Sequence, residues 1–556
     1  MPDLGDQIVA GYQNSQFPVG LGERQFLPDG RLDRLITRAS VVTAIGLPNN
    51  WDRVSVEDKK LVNFVVESAK KVFAITITTS MGRDGPELRK AMLTFKTHGF
   101  GDASLPVKPE SWTSESPLVR DLRWKKAELN WFMHHQWTYL APIFPKTVWE
   151  ADLEPDRILP FTFVDNTSRA GSFGSVYQVT IHPAHQETPL LKANGEPANV
   201  AIKEVSTTTG EQDTLGRGHG HHWQAEAEAE ALKQISSLKH PHLIEVKAII
   251  RKGGKYYFMF PWADGGNLRD YFKENRQPKL NSRFVREIFK QLSRLADAIH
   301  AMHEFSIRHG DLKPENIVRF VDETEVGILK IADLALARHH EEETSVRLAQ
   351  TETNEGTLLY EPPEVYTMAD APRSRRYDIW AMGCIYLELL IWLLYGYDGL
   401  LAFYDDLYDP LRRGKQFWDI NLNKEQAELH PKVVAYIRHM ARDPECAGSS
   451  AMRDLLDLVR TQLLVVRLPS RGADPVNLGE FAGDRSPSLK SLLRPIRADS
   501  RQLRSAFADI LAKGERDENY WFTGQPRDGL LGPMSSRRAS RRLGFQEGLA
   551  MPNVPG

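Results

Sequence analysis

Asp311, Lys313 and Asn316 crowd into one short stretch, S-I-R-H-G-D-L-K-P-E-N from Ser306 to Asn316, and Asp333 follows in I-A-D-L-A-L-A-R. A carboxylate can orient a hydroxyl or take its proton, and an ammonium offsets negative charge. Carboxylate and amide oxygens are the hard ligands that magnesium prefers. Upstream, R-A-G-S-F-G-S-V-Y (Arg169–Tyr177) carries two glycines, and glycine lets a backbone approach phosphates closely and offer its N–H groups. Alone, such a loop is more often a simple hairpin. It gains weight from V-A-I-K (Val200–Lys203), where a lysine closes an apolar run behind the glycines. A lysine in a strand usually sits at a solvated edge, but one placed like this suits a phosphate.

These residues need two kinds of scaffold. Between Arg157 and Pro261 the runs V-Y-Q-V-T-I, N-V-A-I-K-E-V and K-Y-Y-F-M-F are short, β-branched and aromatic, bounded by Gly and Asn, and read as a small sheet. Beyond Pro261 the chain turns helical, as in Phe284–His303 and Ile379–Leu394. Residues 1–150 also read as mainly helical. Ser55 and Asp58 are placed as a capping box ahead of Leu61, Phe64, Val65, Ala69, Val72 and Phe73. A second stretch, Leu118–Tyr139, carries Trp124, Trp131, Phe132 and Trp137, an aromatic stripe that suits a core or a docking face. The tail from about Gly514 is rich in Gly, Pro, Ser and Arg and reads as flexible.

Taken in order, seven motifs resemble those of the protein kinase superfamily across roughly Leu159–Ala512. They are the glycine loop, V-A-I-K, a helix with the glutamates of W-Q-A-E-A-E-A-E-A-L, the run Y-Y-F-M-F-P-W-A, H-G-D-L-K-P-E-N, D-L-A, and G-T-L-L-Y-E-P-P-E with the downstream Y-D-I-W-A-M-G. The H-G-D-L-K-P-E-N spelling behind a helical N-terminal region resembles kinase-domain proteins of filamentous fungi. The resemblance implies an α+β, bilobal fold. It would have an N-lobe with hinge over 159–262, a helical C-lobe over 263–512 with a long insertion at about 396–471, and a tail over 513–556. Residues 1–150 would stand before it as a region of unknown role.

The resemblance also implies ATP and Mg2+ as cofactors and assigns roles. Asp311 orients the substrate hydroxyl, Lys313 offsets charge on the transferred phosphoryl, and Asn316 and Asp333 bind the metal. Lys203 holds the α and β phosphates and pairs with Glu228, with Glu230 as the alternative. Glu228 is preferred because Leu232 would then pack inward on the same face. Ala170, Gly171, Ser172, Phe173, Gly174 and Val176 form the loop over the phosphates. Ala201, the Phe260 gatekeeper, Pro261 and Ala263 frame the adenine, and Pro261 keeps a carbonyl while Ala263 keeps an N–H. Lys313 and Gly356-Thr357 resemble serine/threonine rather than tyrosine kinases. Asp378 would cap the backbone of the catalytic loop, and Arg504 would pair with Glu364.

Three departures qualify the match. Arg169 replaces the first loop glycine, Ala335 replaces the glycine after Asp333-Leu334, and Gly310 replaces the arginine before the acidic residue. That arginine orders a phosphorylated activation loop in the family. Phosphate at Thr344, Ser345, Thr351 or Thr353 is therefore expected to do little by that route, which describes a non-RD kinase. The alternative reading is a nucleotide-binding pseudokinase that serves as a scaffold. The substrate is expected to be a protein, and residues 1–150 offer a site for a regulatory partner or self-association.

Composition excludes several other classes. The 556 residues are 41% hydrophobic and 26% charged with a formal charge of -2, so no global attraction to nucleic acid or anionic membrane is expected. The apolar stretch Ile379–Phe403 holds Glu388, Asp398 and three glycines and reads as a buried helix rather than a membrane span. Two cysteines, Cys384 and Cys446, and an acidic start without a signal-peptide pattern favour a soluble protein of the cytoplasm or nucleus. His219, His221 and His222 suit a polar surface loop better than a metal site, the run His339–Glu343 a solvated loop, and R-R-A-S-R-R at Arg537–Arg542 a chance basic pattern.

Overall fold

The computed structural model describes residues 3–17, 24–79, 85–171, 174–191, 195–206, 220–334, 338–339, 358–367, 373–409, 414–421, 426–468 and 495–527. It divides into two units. One comprises residues 1–211 with 246–262, the other 212–245 with 263–556.

The first unit joins a helical module to a six-stranded sheet. In the module, Ser55 caps the helix Val56–Ser68 by accepting from the Asp58 N–H at 3.1 Å. The apolar run predicted as one helix through Phe73 breaks at Ala69, whose φ of -142° is not helical. A new helix starts at Lys70, because Asp102 accepts the N–H groups of Lys71 (3.1 Å) and Val72 (3.0 Å) and so satisfies donors that its first turn leaves open. The buried face of both helices, with Leu61, Val62, Val65, Val72 and Phe73, packs with Met92 and Phe95 of Gly85–Thr97 in one core. The aromatic stripe divides by side: Phe132 stacks on Trp112 at 4.7 Å in that core, whereas Trp131 is 44% exposed and stacks on His135.

The sheet runs in the order Trp149–Leu153, Ala248–Lys252, Lys255–Pro261, Asn199–Ser206, Gly174–Ile181, Phe161–Gly171. Its neighbours are antiparallel except the first pair, which is parallel with Trp149 opposite Ala248 and Leu153 opposite Lys252. The edge strand thus takes in residues ahead of 159. The N-terminus is sewn into the same sheet. The Gln16 N–H donates to the Phe161 carbonyl, Val164 N–H to Gln16 Oε1, and Ser15 Oγ to the Leu159 carbonyl. Phe17 meets Phe161, Tyr177 and Tyr257 edge-on at 5.5 to 5.7 Å within the sheet's core. Helical module and sheet therefore form one body.

The second unit is helical. Asn281 caps Ser282–Glu304, whose inner face buries Phe284, Ile288, Phe289, Leu292, Leu295 and Ile299, and the helix also packs along Ser500–Arg516. Arg376–Leu407 is buried on all sides over its apolar window; among the described residues it alone is long and apolar enough to cross a membrane. It kinks at Gly396, where φ is 69° and the next N–H, from Tyr397, donates to the Arg276 carbonyl instead. Over 396–471 lie the end of that helix, two short strand pairs, and helices Pro431–Met440 and Ala451–Leu458.

One sequence expectation is corrected here. Glu364 pairs with Arg497, not Arg504: Arg497 is fully buried, donates through both terminal nitrogens to Glu364 at 2.6 and 2.9 Å, and lies over the Trp380 ring at 4.8 Å. Asp499 caps the Ser500–Arg516 helix, and Arg504 falls on its outer face, 56% exposed and 2.8 Å from Asp297.

Candidate functional site

The Ser306–Asn316 stretch leaves the long helix at Glu304 and is tied down from below. Asp378, in the first turn of the Arg376–Leu407 helix and wholly buried, accepts the N–H groups of His309 and Gly310, each at 2.9 Å, and lies 2.8 Å from His303 Nε2. Burial alone would raise the Asp378 carboxyl. The His303 ring, with His309 and the Gly310 amide, outweighs it and holds the carboxyl below its usual value. Turning two successive amides onto one carboxylate puts Gly310 at φ 83°, in the left-handed region. An L side chain there costs roughly 1–2 kcal/mol. Glycine at 310 thus has a backbone reason as well as the loss of a guanidinium.

His309 braces the loop from inside. Its Nδ1 accepts the Asp311 N–H at 3.2 Å and its Nε2 lies 3.0 Å from the Ala332 carbonyl. The side chains of Asp311, Lys313 and Asn316 converge: Lys313 Nζ donates to Asp311 Oδ2 at 2.8 Å, and Asn316 Nδ2 donates to the Asp311 carbonyl (2.8 Å) and to Oδ2 (3.0 Å). Burial pushes the Asp311 carboxyl up and the charge of Asp333 adds to this, while Lys313 pulls against both.

Asp333 follows the short strand Ile328–Ile331 at φ 59°, unusual for a residue with a side chain, and the Ala332 N–H donates to the Asn316 carbonyl at 2.8 Å. Leu334 is buried, filling its apolar slot. Asn316 commits Nδ2 to Asp311, which leaves its Oδ1 as the atom for a cation. Among the described residues no three His, Cys, Asp or Glu side chains cluster to hold a metal by themselves. Asn316 and Asp333 fit magnesium all the same, because that ion takes one or two protein oxygens and completes its shell with phosphate and water.

In the first unit, Lys203 is buried in the strand Asn199–Ser206, opposite Val176 on one side and Phe258 on the other. Ala201 stands opposite Phe260, and Pro261 ends its strand opposite Val200. Ala170 and Gly171 pair with Ser175 and Gly174 as the hairpin closes; Ser172 and Phe173 lie outside the described residues. In the second unit Ala263 accepts the Gly266 N–H in a turn. Of the three glutamates on Gly220–Ser237, Glu228 is buried at 3% exposure together with Leu232, while Glu226 and Glu230 face solvent. Glu228 is thus the buried one of the three. His219, Ala335, the run Glu341–Glu343 and the four hydroxyls from Thr344 to Thr353 fall outside the described residues.

Sequence reasoning passed over His303 and His309 as braces. It also missed Arg269 and Glu388, which sit among Glu315, Tyr360 and Tyr404 beside the loop. Glu388 carried a signal, since a carboxylate in so apolar a helix needs a buried partner.

The family model for the protein kinase domain matches residues 170–457, just over half of the chain. The chain is 28% identical over 191 residues to the SNF-related serine/threonine-protein kinase of Rattus norvegicus, covering 34% of this chain and 22% of that protein. It is 32% identical over 165 residues to NUAK family SNF1-like kinase 2 of Rattus norvegicus (30% and 24%). It is 33% identical over 156 residues to the serine/threonine-protein kinase Nek4 of Mus musculus (28% and 18%). The chain thus spans between about a sixth and a quarter of the length of these relatives. With a β-sheet unit bearing the glycine hairpin and Lys203, and a helical unit bearing the Asp311 loop and Asp333, this chain belongs to the protein kinase domain family.

Proposed function

We propose that the protein is a serine/threonine protein kinase that transfers the γ-phosphoryl group of Mg-ATP to protein hydroxyls. The observation that carries this reading is the convergence of Lys313 and Asn316 on the Asp311 carboxylate, above two backbone amides fixed by Asp378. Catalysis of phosphoryl transfer is mostly positioning and electrostatics, so a held constellation is what the reaction asks of the protein. Asp311 would orient the attacking hydroxyl and receive its proton, and Lys313 would face the charge on the phosphoryl oxygens. Asn316 and Asp333 would ligate magnesium, which neutralises phosphate charge when bound. Lys203, buried in its strand, would hold the α and β phosphates.

A second feature supports an activity that does not wait for an activation-loop phosphate. Gly310 offers no guanidinium to such a phosphate, and the Asp378 amide bonds set the loop without one. The exposed Trp131 supports residues 1–150 as the region where a regulatory partner or a second copy would bind. The experiment is transfer from γ-labelled Mg-ATP to a degenerate peptide library, with the acceptor residue identified. Label on serine or threonine is expected; label on tyrosine alone, or ATP binding without any transfer, would overturn the reading in favour of another acceptor or a scaffold.

A further inference from the structure

Beside the Asp311 loop, the second unit gathers carboxylates and phenols around one guanidinium that the transfer chemistry does not use. Arg269 belongs to the helix Leu268–Glu274, capped by Asn267. Its Nε donates to Glu315 Oε1 at 2.9 Å, its Nη2 lies 3.2 Å from Glu388 Oε2, and its terminal nitrogens also donate to the hydroxyls of Tyr360 and Tyr404. The guanidinium sits over the Tyr404 ring at 5.1 Å. Glu388 is 0% exposed and takes the Tyr360 O–H at 2.8 Å on its other oxygen.

Two carboxylates and two phenol oxygens arranged in this way make a slot for a planar, multiply donating cation. A carboxylate as deeply buried as Glu388 requires such a cation, since an unpaired buried charge is strongly disfavoured. The slot adjoins the loop that carries Asp311. Glu315 directly precedes Asn316, and its side chain is 43% exposed. Tyr360 directly precedes Glu361, a buried residue close enough to feel the charge of Asp311. A basic side chain on a substrate held at Asp311 would meet these acids first, were they not already answered.

We propose that Arg269 is a specificity-determining residue: an internal cation that fills an acidic slot beside the acceptor site, so that arginine side chains of a substrate are not read there. The proposal rests on the phosphotransfer reading above. It makes Glu315 and Glu388 look acidic in sequence yet neutral to a substrate. Opening the slot should therefore convert an enzyme indifferent to basic residues into one that selects them.

The test replaces the cation and offers it back from outside. In Arg269→Ala, ethylguanidinium should raise the unfolding temperature, with no such effect on the unsubstituted protein. The variant should also phosphorylate serine peptides bearing arginine at least about tenfold faster than matched alanine peptides, against less than about threefold discrimination by the unsubstituted protein, a contrast of the size expected for a desolvated charge pair. A folded variant that neither responds to ethylguanidinium nor gains an arginine preference overturns the proposal. Should Arg269→Ala not fold, the unsubstituted protein and Glu315→Gln decide. Indifference to arginine in both supports a filled slot, and an arginine preference that Glu315→Gln abolishes refutes it. Transfer to neither peptide set would refute the phosphotransfer reading instead, while the ethylguanidinium response still reports on the slot.

Discussion

Removing the Asp378 carboxylate should release the Asp311 loop while leaving Asp311 itself untouched. Asp378 is fully buried and takes two backbone amides at 2.9 Å with the His303 ring at 2.8 Å. In Asp378→Ala the amides of His309 and Gly310 lose their acceptor inside the core. At about 1–3 kcal/mol for each buried unpaired donor, and more where the acceptor was charged, the loss is about 3–6 kcal/mol. Asp378→Asn keeps one oxygen and turns an amide group toward the other donor, so about 2–3 kcal/mol is expected. The pH dependence has a defined sign. Although burial pushes the carboxyl up, its neighbours hold it below its usual value, so its contribution is present above the unfolded value of about 3.9 and is lost only as pH falls through the lower folded one. Hydrogen exchange of the segment spanning His309 and Gly310 is the direct assay. A loss of about 2 kcal/mol appears as exchange about 30-fold faster, constant from neutral pH down to mild acid. Protection within about threefold of the unsubstituted protein in Asp378→Ala would refute the reasoning, since that is well under 1 kcal/mol.

Gly310→Ala should cost roughly 1–2 kcal/mol in unfolding free energy through its left-handed backbone, and Gly310→Arg should pay the same strain rather than simply create dependence on a loop phosphate. Breaking the buried pair with Arg497→Ala should cost about 3–5 kcal/mol by chemical denaturation, and the double change Arg497→Met with Glu364→Leu should cost less, because no buried charge is left unpaired. Because burial raises the Asp311 carboxyl, the acid limb of kcat/KM should lie above the ordinary carboxylate range, and Lys313→Met should move it higher still. The same raised value makes ionised Asp311 a cost that grows as pH rises through it, so Asp311→Asn should unfold at or above the temperature of the unsubstituted protein near neutral pH. Phosphatase treatment, or phosphomimetics at Thr344, Ser345, Thr351 or Thr353, should change turnover by less than about tenfold, because Gly310 has no guanidinium to pair with the added charge.

The parts of the site that were legible in sequence are those held by short-range spacing. Asp311, Lys313 and Asn316 lie on one loop, so their order along the chain nearly fixes their geometry, and helical spacing was enough to put Glu228 on the buried face with Leu232. Long-range pairings were not legible. Arg497 and Arg504 stand in the same arginine-rich stretch, and only the start of the helix at Ser500 decides that one is buried on Glu364 while the other faces Asp297. The helix through Ala69 read as continuous because the Asp102 carboxylate that restarts it comes from a distant segment. Residues 1–150 looked separable for the same reason. Nothing in W-E-A-D-L announces a parallel partner, and nothing near Phe17 announces that it plugs a sheet built mostly of later residues. The Arg269 slot needed four segments folded together before it existed.

The central claim is that the Asp311 constellation transfers a phosphoryl group, and the most direct measurement compares γ-phosphoryl transfer by the purified chain and by Asp311→Asn at saturating Mg-ATP, with nucleotide binding followed in parallel. The account predicts transfer by the unsubstituted protein and a loss of at least about 100-fold in the variant, the scale of a removed general base, with Mg-ATP binding retained. Equal rates in the two proteins, or binding without transfer in both, would contradict it.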